Sequence, residues 1–200
     1  MLDKSVPYAK LIMCRKAGTP IPEFPLPDGF KFVFYRDNDD IQWARIETSV
    51  DEFDSEFSAL MLFRKDFIPH LDELYKRLLF IETEDGTKVA TANAWWANNN
   101  NDRRAWLHWV SVDPKYQGLG LGKAISAQTT RLMCELEGDV DIFLSTQTWS
   151  YKAIDIYKKC GYEPNDEKIL YGPKSKNDYK KALKILEKLR KKHNRQSERK

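Results

Sequence analysis

Apolar and polar positions along this chain change period in an ordered way. Lys31–Tyr35, a short apolar and aromatic run, reads as a first strand. Asp39 or Asp40 can cap a helix running to about Ser49, and Ser55 can cap another running towards Leu79. Pro69, next to His70, predicts that the second of these helices is kinked or split. Leu78–Thr83 and Lys88–Ala97 flank Asp85-Gly86, and Asp-Gly between two apolar runs predicts a hairpin. A polar turn at Asn98–Asp102 leads into a further strand, Ala105–Val112. Helical spacing returns over Lys123–Leu136, where Ile125, Thr129, Leu132 and Leu136 share a face. Asp141–Thr146 is nearly unbroken in its apolar character, as a buried strand should be. Ser150 can cap a helix that ends at Gly161, and Lys168–Tyr171 reads as a last strand. This order predicts an α+β fold, an α/β sandwich around one sheet.

The two ends differ from this body. Pro20, Pro22, Pro25 and Pro27 are too closely spaced for a helix or a central strand, so residues 1–29 read as an extended arm. Residues 30–172 form the expected single domain, and 173–200 a basic C-terminal helix with a disordered end from His193. In that tail Tyr179, Ala182, Leu183, Leu186 and Leu189 make an apolar stripe, expected to pack on the body or on a second copy of the chain.

Charge sharpens the division. Residues 173–200 hold 12 Lys and Arg against 3 Asp and Glu, which puts +9 on the tail and −6 on the rest. An acidic body suits a cationic substrate. The tail lacks an aromatic platform beyond Tyr179, which argues against nucleic acid. No apolar run approaches the roughly 18 residues of a membrane span, so no membrane is expected. The first residues lack the apolar core of an export signal. Cys14, Cys134 and Cys160 show neither a disulfide framework nor metal-ligand spacing. These features predict a cytoplasmic protein without a metal.

The densest chemical signal is Pro114–Ala124, with glycines at 118, 120 and 122 and Lys123 directly after. It is not a P-loop, because Gln117 stands where the first glycine belongs and Ala124 where the Mg²⁺-binding hydroxyl belongs. It is not a dinucleotide fingerprint, because Lys123 or Ile125 falls on the third glycine position. What remains is Gln-x-x-Gly-x-Gly between a strand and a helix. Such a turn aims several N–H groups at one point beside a helix N-terminus, which makes a metal-free pyrophosphate site.

The stretch from Trp109 to Ile125 resembles the central motif of the GNAT superfamily of acyl-CoA-dependent N-acyltransferases, with Gln117, Gly120 and Gly122 matching. Ser150 to Tyr162 is similar to the family's second signature: Ala153, Tyr157, Lys159 and Gly161 match, while Ser150, Ile156 and Tyr162 depart conservatively. The resemblance covers about Phe30 to Tyr171 and implies a mixed, mostly antiparallel sheet of about 6–7 strands, splayed at the cofactor. It implies acetyl-CoA as cofactor and acetyl transfer to a small-molecule or peptide amine through a tetrahedral intermediate. A homodimer is among its implications. Gly118, Leu119, Gly120, Leu121, Gly122, Lys123 and Ala124 would then hold the pyrophosphate, with Gln117 at the head of the turn. Val110, Ser111 and Val112 would pair with the pantetheine arm, a backbone N–H near Val110 polarising the thioester carbonyl. Ser150 and Ala153 would complete the cofactor wall.

Two side chains stand out for the chemistry. Tyr157 is the candidate acid for the departing thiolate, and His108 the candidate base, since an ordinary imidazole value near 6.5 suits proton acceptance at neutral pH. Trp95, Trp96, Trp106, Trp109 and Trp149 could wall an acceptor site, or simply be core. Glu47, Asp51, Glu52 and Asp54 could attract an amine, although acids on such a helix more often form a solvated face. Two other readings stay open: another acyl group or acceptor, and a non-catalytic CoA-binding or protein-interaction module.

Overall fold

The structure, a computed structural model, describes residues 2–99, 102–167 and 177–197. Its strands are β1 (Lys10–Arg15), β2 (Phe30–Phe34), β3 (Leu78–Thr83), β4 (Lys88–Asn99), β5 (Asp102–Val112), β6 (Ile142–Gln147) and β7 (Glu163–Asn165). They join in one sheet in the order β2-β3-β4-β5-β6-β1-β7. Every neighbouring pair is antiparallel except β5 and β6, which run parallel. That parallel step requires a crossover, supplied by the long helix between the two strands.

The helices are α1 (Asp39–Ser49), α2 (Glu56–Asp66), α3 (Leu71–Arg77), α4 (Leu121–Glu137), α5 (Tyr151–Lys159) and α6 (Tyr179–Ser197). Strand alternation sorts the core into two layers. Leu79 and Ile81 join Leu107, Leu144, Ile125, Met133 and Tyr157 on the α4–α5 face. Leu78 and Phe80 join Trp43, Phe63 and Leu74 on the α1–α3 face. The second predicted helix is split where Pro69 stands, by a 3-10 turn at Ile68–His70. Ser55 caps α2 by accepting from the Ser58 N–H at 3.2 Å.

Several expectations change. The arm over 1–29 contains β1, which lies between β6 and β7 inside the sheet. Neither aspartate caps α1: Asn38 holds the N-cap position in left-handed backbone at φ 71 and makes no side-chain cap bond, while Asp39 accepts from the Arg36 N–H. Ser150 makes no side-chain cap bond to α5. Leu136 is exposed, and Met133 is the side chain that α4 buries instead. The expected strand at Lys168–Tyr171 and the tip of the Asn98–Asp102 turn lie outside the described residues.

The tail helix continues to Ser197, beyond the His193 expected to begin a disordered end. It docks on its own chain. Asp178 donates its N–H to Lys10 O at 2.9 Å and accepts the Lys10 N–H at 3.2 Å. Ala182 is buried, and Tyr179, Ile185 and Leu186 pack on the main core, so the buried stripe is turned towards Ile185. Deleting residues 178–200 should lower the melting temperature by roughly 4–8 °C, equivalent to about 2 kcal/mol in a chain this size. A scanning-calorimetry trace that matched the full chain would show that the docked helix adds no stability.

Candidate active site

β5 contains one residue more than its partner strand can match. Thr91 lies opposite Ser111 and Asn93 opposite His108, so Trp109 and Val110 together face Ala92. This is a β-bulge, and Trp109 takes left-handed backbone at φ 50 within it. The bulge reverses the alternation. Trp109 packs on the α1–α3 face, and Val110 and Val112 move to the α4 face. Val110 therefore does not share a face with His108. On its other side β5 pairs with β6 only at Trp106 and Leu107. Beyond Leu107 the two strands diverge, and the backbone of Val110–Val112 borders the gap.

The glycine turn follows at once. Asp113 accepts the Lys115 N–H at 3.0 Å and pairs with Arg45 of α1 at 2.8 Å. Gln117 donates its side-chain amide to Val112 O at 3.0 Å, which ties the turn to the strand. Gly118 and Gly120 both sit at φ 87, a conformation that costs a residue with a side chain roughly 1–2 kcal/mol. A Cβ on Gly122 would lie 3.3 Å from Ile156 Cδ1 and 3.7 Å from Val112 Cγ2. Its bare Cα lets α4, α5 and β5 close together. The N–H groups of Lys123 and Ala124 already donate to Gly120 O, at 3.1 and 3.2 Å. The N–H groups of Lys123 and Ala124 are thus spent within the turn, which leaves those of Gly118–Gly122 at the start of α4.

These elements enclose a cleft of about 860 Å³. Val110, Ser111 and Val112, the turn from Gln117 to Lys123, and Ser150, Ala153 and Tyr157 all line it. Ala124 is fully buried and does not; nor does His108. The sequence reading missed Leu2, Asp3, Val50 and Lys152 on its walls. Lys123, Lys152 and Lys159 line the cleft, and Lys123 Nζ sits 5.4 Å from the Phe24 ring of the proline-rich arm. Glu52, Asp3, Val50 and Leu2 also line it. Tryptophan contributes less than expected. Trp149 lines the cleft, Trp106 is buried against Phe143, and Trp95 and Trp96 stack on each other at 4.1 Å.

Burial sets the electrostatics. Tyr157 is 7% exposed, and burial, then the charges of Glu52 and Glu47, raise its phenol above the ordinary range. It stays protonated and can donate. His108 retains partial solvent contact, yet its imidazole lies deep enough for desolvation to push it down to about 3. An imidazole in that state holds a proton poorly at neutral pH, so His108 loses the basicity that made it the candidate.

The sequence offered Glu47 as an acid that attracts an amine or, more often, lies on a solvated face. It is 0% exposed on the inner face of α1, and burial pushes its carboxyl up to about 8. Ser111 Oγ donates to its Oε2 at 2.9 Å. Its Oε1 has no hydrogen-bond partner among the described residues, nor have the side chains of Thr91 and Asn93, the cross-strand neighbours of Ser111 and His108. Glu52 lines the cleft from an exposed position, with Gln147 donating to it at 3.3 Å. Asp51 and Asp54 are exposed, as expected. Among the described residues no group of three or more His, Cys, Asp or Glu is placed to hold a metal ion, and no helix is long and apolar enough to cross a membrane.

A model of the acetyltransferase (GNAT) family matches residues 38–162. Spermine/spermidine N(1)-acetyltransferase of Bacillus subtilis is 33% identical over 76 residues, 38% of this chain and 50% of that protein. Mycothiol acetyltransferase of an Arthrobacter species is 30% identical over 69 residues, 34% of this chain and 21% of that protein. The match thus spans half or less of these relatives' lengths. The crystal structure of a GCN5-related N-acetyltransferase from Sphaerobacter thermophilus superposes with a TM-score of 0.62 at 17% identity, over 80% of this chain and 49% of that one, a likeness of fold.

The buried Glu47 carboxyl has a consequence for stability. Its folded value, about 8, lies above its ordinary 4.5. The native state therefore binds the proton more tightly, and stability falls as pH rises from about 4.5 to about 8. Glu47→Gln should melt near wild type at pH 5 and several degrees higher at pH 8.5. Equal differences at both pH values would show that Glu47 carries no such shift.

Proposed function

This chain belongs to the acetyltransferase (GNAT) family, and from that premise we propose that it moves an acetyl group from acetyl-CoA to a primary amine by direct transfer. One observation carries the reading. The open edge of β5 beyond Leu107, the glycine turn and Tyr157 face a single cleft. A pyrophosphate with a long extended arm needs that combination, and neither a tight turn nor a plain protein-docking surface does. The cleft fits the cofactor in its donors and its cations: the free N–H groups of Gly118–Gly122 at the N-terminus of α4, with Lys123 beside them.

Bound acetyl-CoA supplies an acyl group activated as a thioester. The chain's own residues supply the rest. The turn N–H groups and Lys123 hold the phosphates. The strand edge at Val110–Val112 offers backbone groups to the extended arm, and an N–H at the bulge polarises the carbonyl. Tyr157, kept protonated by its surroundings, donates to the leaving sulfur. Glu52 and Asp3 also line the cleft and would attract an amine. A polyamine such as the relative's name specifies is one acceptor of that kind. The free cysteines, two of them buried, suit a reducing cytoplasm.

Thermal shift tests the cofactor. Acetyl-CoA or CoA at 100 times its dissociation constant should stabilise the chain by about 2.7 kcal/mol, and ATP and NAD should not. An amine panel read by thiol release then tests the reaction. Tyr157→Phe should lower kcat about 10²-fold while CoA still binds. No shift with any thioester would overturn the acetyl-CoA reading, and full turnover by Tyr157→Phe would remove the assigned acid.

A further inference from the structure

The bulge leaves a polar layer inside an otherwise apolar face. Ser111 lines the cleft from the bulged strand. Behind it Glu47 is fully buried, accepts from Ser111 Oγ at 2.9 Å and keeps Oε1 without a hydrogen-bond partner among the described residues. No described cation pairs with this carboxylate: Arg45, two residues earlier on α1, is bound to Asp113. Thr91, directly across from Ser111, and Asn93 are buried with side-chain polar atoms likewise unpartnered. A buried acid with a spare oxygen, linked by one hydroxyl to the reaction cleft, has the layout of a proton relay.

Resting on the acetyltransferase reading, we propose that Ser111 and Glu47 form the relay that takes the proton from the acceptor amine, Ser111 touching the amine and Glu47 acting through Ser111. As the amine nitrogen bonds to the acyl carbon and the carbon–sulfur bond breaks, the amine proton passes to Ser111 Oγ. The hydroxyl proton of Ser111 passes to Glu47 Oε2, and Tyr157 gives its phenolic proton to the sulfur. Glu47 and Tyr157 then return to their starting states by exchanging one proton through solvent, so the net result is one proton moved from nitrogen to sulfur. Burial suits Glu47 to this role, because it brings the carboxyl up to about 8, where a base operates well near neutral pH. Glu52, on the loop after α1, repels the Glu47 charge, and Tyr157 faces both carboxylates from α5.

The test uses the full chain and an acceptor whose electron-withdrawing substituent keeps it neutral across the pH range, so that the amine adds no limb of its own. Wild-type kcat/KM should rise with pH to a plateau governed by Glu47. Glu47→Gln and Ser111→Ala should each lower kcat about 10²-fold and remove the limb, and Ser111→Thr, which keeps the hydroxyl, should restore most of the rate. Carbon-13 NMR of labelled glutamate gives a reading independent of turnover. One carboxyl should titrate far above the rest, vanish in Glu47→Gln, and move higher in Ser111→Ala, which removes the bond favouring the charged form. Should Glu47→Gln fold poorly, Ser111→Ala and the wild-type titration still decide. Amine acetylation whose pH limb survives Glu47→Gln, or a Glu47 that titrates near 4.5, overturns the relay alone. Absence of thiol release with every amine overturns the relay and the acetyltransferase reading together.

Discussion

Trp109 sits in left-handed backbone at φ 50 within a strand, a conformation a bulky side chain adopts only under constraint. The constraint is visible around it. The indole stacks on Phe53 at 5.5 Å and meets Trp43 edge-on at 5.4 Å, so aromatic packing holds the bulge in place. One inserted residue then has three effects. It turns Ser111 towards α1 and Glu47, and it sends Val110 and Val112 to the α4 face. It also bends β5 where its pairing with β6 ends, leaving strand backbone beside the glycine turn.

α1 connects these effects. From one helix Trp43 packs on the bulged indole, Arg45 pairs with the aspartate that opens the glycine turn, and Glu47 accepts from the strand serine. The three positions, two apart, span a little more than one helical turn, so they reach different parts of the site from one rigid body. The helix start is fixed in turn by Lys88, which bridges Asp39 and Glu82 within the sheet layer. The glycine turn and the buried acid are thus tied to the same element.

The parts legible in the sequence were those encoded locally. The hairpin at Asp85-Gly86, the limits of α1 and the glycine turn each depend on residues within a few positions of one another. β1 was not legible. Its six residues form a short apolar run beside a proline-rich stretch, and its identity comes from partners in β6 more than 120 positions away. The resemblance implied a bulge in this strand, but the residues alone did not place it, because strict alternation from Trp106 assigns Val110 and Val112 to the other face. Glu47 looked like any acid on a surface helix. Only the packing of α1 across the bulge decides that it points inwards.

Other buried charges in this chain show how unusual that glutamate is. Asp39 and Glu82 share Lys88, Asp113 has Arg45, and Arg77 is bound by Glu73 and Glu137. Each has its counter-charge, as burial of an ion requires. Glu47 has one hydroxyl and an oxygen left over. A fold that satisfies its charges elsewhere and leaves one desolvated acid behind its cleft gives up stability at that point. Such local losses collect where a protein does chemistry, since a carboxyl with a raised affinity for protons is the stronger base.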